Sequence, residues 1–117
     1  MPLLTLALVL VSVGMICTGQ LLFKLVGLRL QAGIPILDYR VLSVAGISIV
    51  IYGLATLLWI YVLKTTPLTK AYPYMALSFV LIPIASVVLY SEQVRPMYVL
   101  GTALIVAGVL LTSISSN

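Results

Sequence analysis

Two polar residues, Gln20 and Lys24, stand four apart in the stretch GQLLFK (Gly19 to Lys24), near the end of an apolar run. On a helix that spacing puts an amide and a cation on one face. Such a pair suits a polar or anionic headgroup better than a hydrophobic cation. The competing use is structural: a glutamine bonding a neighbouring helix, and a lysine snorkelling to the interface. Polar groups at membrane depth cost free energy unless satisfied or used, so the pair leads the functional candidates. Lys70 is the last residue before the third apolar run, where cations attract lipid phosphates. Tyr72 and Tyr74 flank Pro73, where they either line a path or belong to an interfacial aromatic belt. Pro73 and Pro83 each omit a backbone donor. Pro83 is expected to kink the middle of its span, so the two prolines read as a moving gate or as the shape of a cavity. Ser78 and Ser86 can bond across helices. Glu92 and Arg95, three apart in a short loop, read as an exposed ion pair or a helix cap, worth little.

Catalysis has no footing in these residues. The chain holds two acidic residues and no histidine, and it has no serine beside a base and no glycine-rich phosphate loop. General acid–base or nucleophilic chemistry needs positioned titratable partners, so no enzyme, no cofactor and no metal site is expected. Cys17, the single cysteine, reads as a small packing residue. Six cations spread over loops give a net charge of +4. Without a basic tail or aromatic–basic interleaving, nucleic acid is excluded as a partner.

The elements that position these residues follow from composition. Of 117 residues, 63% are hydrophobic and 7% charged, against about 25% charged in a soluble domain. A chain this short cannot absorb the difference in a larger core, so its surface faces lipid. Uncharged runs predict four membrane-spanning helices at about 3–23, 41–63, 71–90 and 97–114. Each is long enough for a hydrocarbon core of roughly 30 Å. The fold class is therefore all-α, a single transmembrane domain over 1–117 forming a four-helix bundle. The first run lacks a basic start and a small-residue cleavage site, so it reads as a helix rather than a signal peptide. Lys24, Arg29, Arg40 and Arg95 fall on one side, and Lys64 and Lys70 on the other, a bias too small to fix orientation.

Four helices make thin walls for a path, so transport requires at least a dimer. The fourth helix offers a surface: Gly101 and Gly108 lie seven apart on one face, with Ala103 and Ala107 nearby. Small residues let helix backbones approach closely in lipid, although the same glycines can also pack within one chain.

Taken together, GQLLFK, LLWIYVLKTTPLTKAYP, ALSFV and YSEQVRPMYVLGTALIVAGVLL resemble the four-helix members of the drug/metabolite transporter superfamily. The match covers nearly the whole chain, and the last stretch is similar to an EamA-type ending. The small multidrug resistance branch carries a glutamate three residues before the glycine matching Gly19; here Ile16 stands there. That branch's third-helix tryptophan falls on Met75, while its tyrosine is kept as Tyr72. The chain resembles more closely the small subunits of the flippase for aminoarabinose linked to undecaprenyl phosphate. Gly19, Gln20, Leu21, Lys24, Trp59 and Ala71–Tyr72–Pro73 match that pattern, and Lys70 departs from it, since an apolar residue is usual there.

The resemblance implies a bacterial inner membrane, a two-subunit assembly (homodimer or heterodimer) and a lipid-linked sugar or other polyprenyl-phosphate substrate. Gln20, Lys24, Tyr72, Lys70 and Tyr74 are the expected substrate contacts, and Pro73 and Pro83 the gating bends. The alternatives are an exporter of small cationic solutes and a non-transporting membrane assembly partner.

Overall fold

Helix α1 runs Leu3–Gln31, eight residues past the expected end at Phe23. Charge marked the edge of the apolar run, but it did not stop the helix. What stops α1 is a cap at Gly33, whose φ is +92°, a conformation that glycine adopts without steric cost. Ile34 N–H donates to Arg29 O and Gly33 N–H to Leu30 O, both at 3.1 Å. This is the Schellman arrangement, with Pro35 just beyond to prevent continuation. Lys24, expected at the edge of α1, therefore lies within it, two turns before its end. Twenty residues from Leu3 already span roughly 30 Å, so Lys24 stands at the hydrocarbon boundary.

The computed structural model describes residues 2–115; residues 1, 116 and 117 of the expected 1–117 unit lie outside the described residues. α2 is Tyr39–Leu63. Asp38 caps it, accepting from Arg40 N–H at 2.8 Å and from the Arg40 guanidinium at 3.0 Å. That guanidinium holds the Asp38 carboxyl below the usual carboxylate range.

The third span begins earlier than expected and is interrupted. It forms α3, Leu68–Met75, and α4, Ser78–Tyr90, and the break falls at Ala76 and Leu77. α4 continues through Pro83, so the discontinuity lies between the two prolines and at neither of them. Pro73 has no N–H for the carbonyl one turn back and its ring crowds that carbonyl. The turns that follow tighten: Ala76 N–H donates to Pro73 O and Leu77 N–H to Tyr74 O, both at 3.1 Å. Ser78 Oγ donates to Met75 O at 2.8 Å, a bond within this break rather than across helices. Phe79 N–H turns instead to Ala76 O at 3.0 Å.

α5 is Pro96–Ser115. The described residues are otherwise loops and turns, with no strand among them. Four segments are long and apolar enough to cross a membrane: α1, α2, α3 with α4 (Leu68–Tyr90), and α5.

α1 lies at the centre. It packs most heavily on α2 and also meets α3 and α4, while α5 packs mainly on the α3–α4 span. Gly19 sets the α1–α2 approach: a Cβ there would lie 3.2 Å from Tyr52 Cδ2, and the Phe23 and Tyr52 rings are 6.0 Å apart beside it. The buried hydroxyls of Ser12 and Ser48 donate to Leu8 O and Val44 O within their own helices, which satisfies them in an apolar setting. The core joins Val9, Val13 and Cys17 of α1 to Val62 of α2 and Ala71 of α3. The spans form a flattened layer of 50 × 36 × 17 Å. A helix with side chains is roughly 10–12 Å across, so the thin dimension is little more than one helix deep.

Candidate functional site

The inward face of α1 changes character along its length. Val13 is 1% and Cys17 6% exposed, sealed in the core. One heptad further on, the same face carries Gln20 and Lys24, and both are exposed. Burial on this face therefore stops after Cys17, and Gln20 and Lys24 border none of the three cavities described below.

Lys24 does not stand alone there. Its Nζ lies 3.8 Å from Glu92 Oε2, with side-chain exposures of 48% and 44%. The expected pairing of Glu92 with Arg95 is thereby corrected: Glu92 pairs with Lys24 instead. The loop after α4 folds back over α1 because Tyr90 OH donates to Leu21 O at 2.6 Å, one turn before Lys24. Ser91, in the left-handed region at φ 54°, then ends the helix, and residues 92–95 lead to α5 without regular secondary structure.

Glu92 also borders a cavity of about 700 Å³ between α4 and α5, with Ser86, Gln93, Arg95 and Tyr98 among its lining. A second cavity, about 610 Å³, lies against the same seam and shares Pro83, Val87, Val94 and Tyr98 with the first. Its other walls, Phe79, Ile84 and Val99 among them, are apolar except for Thr102. A charged compartment thus adjoins an apolar one, an arrangement that accommodates an amphipathic molecule with an ionic head and a hydrocarbon tail.

The remaining expected contacts lie elsewhere. Tyr72 is exposed and, with Pro73, lines a third cavity of about 490 Å³ between α3 and α5. Tyr74 packs against the buried cluster of Val9, Val13 and Ala71. Lys70 is half-buried beside Ala71, which joins the core of Val9, Val13 and Cys17. The five expected substrate contacts therefore do not converge on one cavity: Tyr72 lines the third, while Gln20 and Lys24 border none of the three. Gly101 and Gly108 have nothing within 4 Å of a built Cβ, Ala107 is exposed, and Ala103 borders the apolar cavity. No metal-binding cluster occurs among the described residues.

Sequence reasoning missed Glu92, Arg95 and Ser86 as members of a shared site. The loop SEQVRP did display an acid and a cation, but nothing local indicates that the acid reaches Lys24.

Comparison with known proteins agrees with this architecture. Residues 1–114 match the model of the EamA-like transporter family. The chain is 35% identical over 95 residues to a protein of Enterobacter sp. (strain 638) named as a probable 4-amino-4-deoxy-L-arabinose-phosphoundecaprenol flippase subunit ArnE; the match covers 81% of this chain and 83% of that one. It is 39% identical over 66 residues to a protein of the same name from Salmonella paratyphi B, covering 56% of this chain and 60% of the relative. No solved structure matches.

Proposed function

Since the chain belongs to the EamA-like transporter family, and is a multi-pass membrane transporter, we propose that it is a subunit of a flippase moving a polyprenyl-phosphate-linked sugar across the bacterial inner membrane. The observation that carries this reading is the continuation of the sealed Val13–Cys17 face into exposed Gln20 and Lys24. Lys24 supplies a cation and Gln20 amide donors at the depth where a lipid phosphate lies. The polar cavity beside Glu92 takes the sugar, and the apolar cavity beyond Pro83 leaves the prenyl chain in contact with the bilayer. Lys70 and Tyr72 stand apart from this site, Tyr72 at the third cavity between α3 and α5, and serve another part of the path. Movement between the ends uses the break at Ala76–Leu77, where the helical hydrogen bonds of the third span are already interrupted. The relatives named as flippase subunits support this substrate class. Ile16 leaves the middle of α1 without an acid, so a lipophilic cation meets no countercharge there.

The test is native mass spectrometry of the protein purified from bacterial membranes in lipid nanodiscs. A polyprenyl-phosphate sugar is expected to remain bound to the wild type and to Lys24→Arg, and to fall about tenfold in occupancy with Lys24→Ala, the loss of one charge-assisted contact. Retention of no phosphate-bearing polyprenyl lipid by the wild type, or equal retention by Lys24→Ala, refutes the assignment.

A further inference from the structure

We propose that Glu92 is the specificity residue of this site. It reads an amine on the transported headgroup by exchanging ion-pair partners with Lys24. The inference rests on the flippase reading and deepens it.

The Lys24–Glu92 separation of 3.8 Å is about 1 Å longer than a charge-assisted hydrogen bond, so the pair is a loose one. Both side chains are nearly half exposed, and pairs of that kind contribute little and separate readily. Their backbones are placed independently of the pair, because the Tyr90 OH bond to Leu21 O ties the loop to α1. Breaking the pair therefore leaves both groups in position. Glu92 has one cation at 3.8 Å, Lys24 on α1, and shares the wall of the polar cavity with a second, Arg95 before α5.

A headgroup carrying only a phosphate would draw Lys24 and Arg95 to itself. It would leave Glu92 without a partner and beside a like charge, a penalty that selects against such a ligand. A headgroup carrying both a phosphate and an ammonium replaces the internal pair with two new ones. Its phosphate goes to Lys24 and Arg95, and its ammonium to Glu92. The phosphate then faces cations and the ammonium faces a carboxylate, so Glu92 is not left without a partner of opposite sign. The apolar cavity sharing Pro83, Val87, Val94 and Tyr98 with this compartment fixes the side from which the lipid chain enters.

The test measures binding of two probes to the purified full chain in nanodiscs: polyprenyl phosphate, and the same lipid bearing an amino sugar. The wild type is expected to bind the amino-sugar lipid about 10- to 100-fold more tightly, the range for one hydrogen-bonded ionic contact. Glu92→Gln should bring the ratio close to one while plain polyprenyl phosphate binds as well or better, since Lys24 is released. Glu92→Asp should keep the preference and serves, with helical circular dichroism, as the control for folding. Arg95→Gln should weaken both probes. The proposal is overturned if Glu92→Gln weakens both probes equally, which would make Glu92 only a support for Lys24, or if the ratio is unchanged. Binding of neither probe by the wild type defeats the flippase reading itself and this inference with it; binding of both with an unaltered ratio defeats this inference alone.

Discussion

Gly19 fixes how closely the two central helices approach, because its missing side chain is the space that Tyr52 occupies. A methyl at that position sits 3.2 Å from Tyr52 Cδ2 and 3.8 Å from Ser48 O, so the ring must give way slightly; a leucine adds three more carbons to the same gap. Overpacking of this kind costs about 1–3 kcal/mol. Gly19→Leu is therefore expected to lower the unfolding free energy of the detergent-solubilised protein by that amount, read from denaturant titration of helical circular dichroism. Gly14 is the matched control: nothing lies within 4 Å of a Cβ there, so Gly14→Leu should be neutral or slightly stabilising through helix propensity. Equal responses at the two glycines would mean that the Tyr52 contact does not limit packing. The same contact bears on the site, since Gln20 and Lys24 follow Gly19 directly and α1 carries them wherever its approach to α2 sets it.

At the scale of elements, the start of α2 depends on a titratable cap. The Arg40 guanidinium and backbone N–H hold the Asp38 carboxyl below its ordinary range. A carboxyl whose folded pKa is depressed contributes stability above its unfolded value, about 3.9, and that contribution is lost as pH falls through the lower folded value. The difference in thermal stability between wild type and Asp38→Asn is thus expected to be constant above about pH 5 and to shrink as pH falls from about 4 towards 2; a flat difference across that range excludes the carboxylate as the cap. The number and helical nature of the spans were legible in the sequence because uncharged runs have one stable form in lipid. Their ends were less so. Lys24 and Arg29 are tolerated inside α1 once it passes the hydrocarbon edge, and the true stop was written in Gly33 and Pro35. The Ala76–Leu77 break was not legible, because the bonds that mark it, Ser78 Oγ to Met75 O and Phe79 N–H to Ala76 O, involve residues that also fit an unbroken apolar helix. The Lys24–Glu92 pair was hidden for a different reason: it needs the topology that folds the end of α4 over α1.

The whole molecule is a layer 17 Å thick, and a path for a headgroup needs walls on both faces of such a layer. Lipid can cover the apolar surfaces of α2 and α5, but it cannot solvate the Glu92–Arg95 compartment, which opens beside α5. No residue of α5 is buried, and the Gly101–Gly108 face meets nothing within the chain. We propose that a second four-helix chain laid against α5 supplies this wall, with the small residues letting two backbones approach. For a homodimer through this face, Gly108→Cys in a Cys17→Ala background should form a disulfide-linked dimer in oxidised native membranes, since bridging requires Cα atoms within about 7 Å. Leu110→Cys, about 200° around the helix, should not. Cross-linking at neither position excludes a homodimer along this face, and a companion subunit must then provide the wall. Cross-linking at both to the same extent signals random collision rather than an interface. Only the selective result, together with loss of the dimer on Gly101→Leu, joins the open cavity of one chain to a complete transport path.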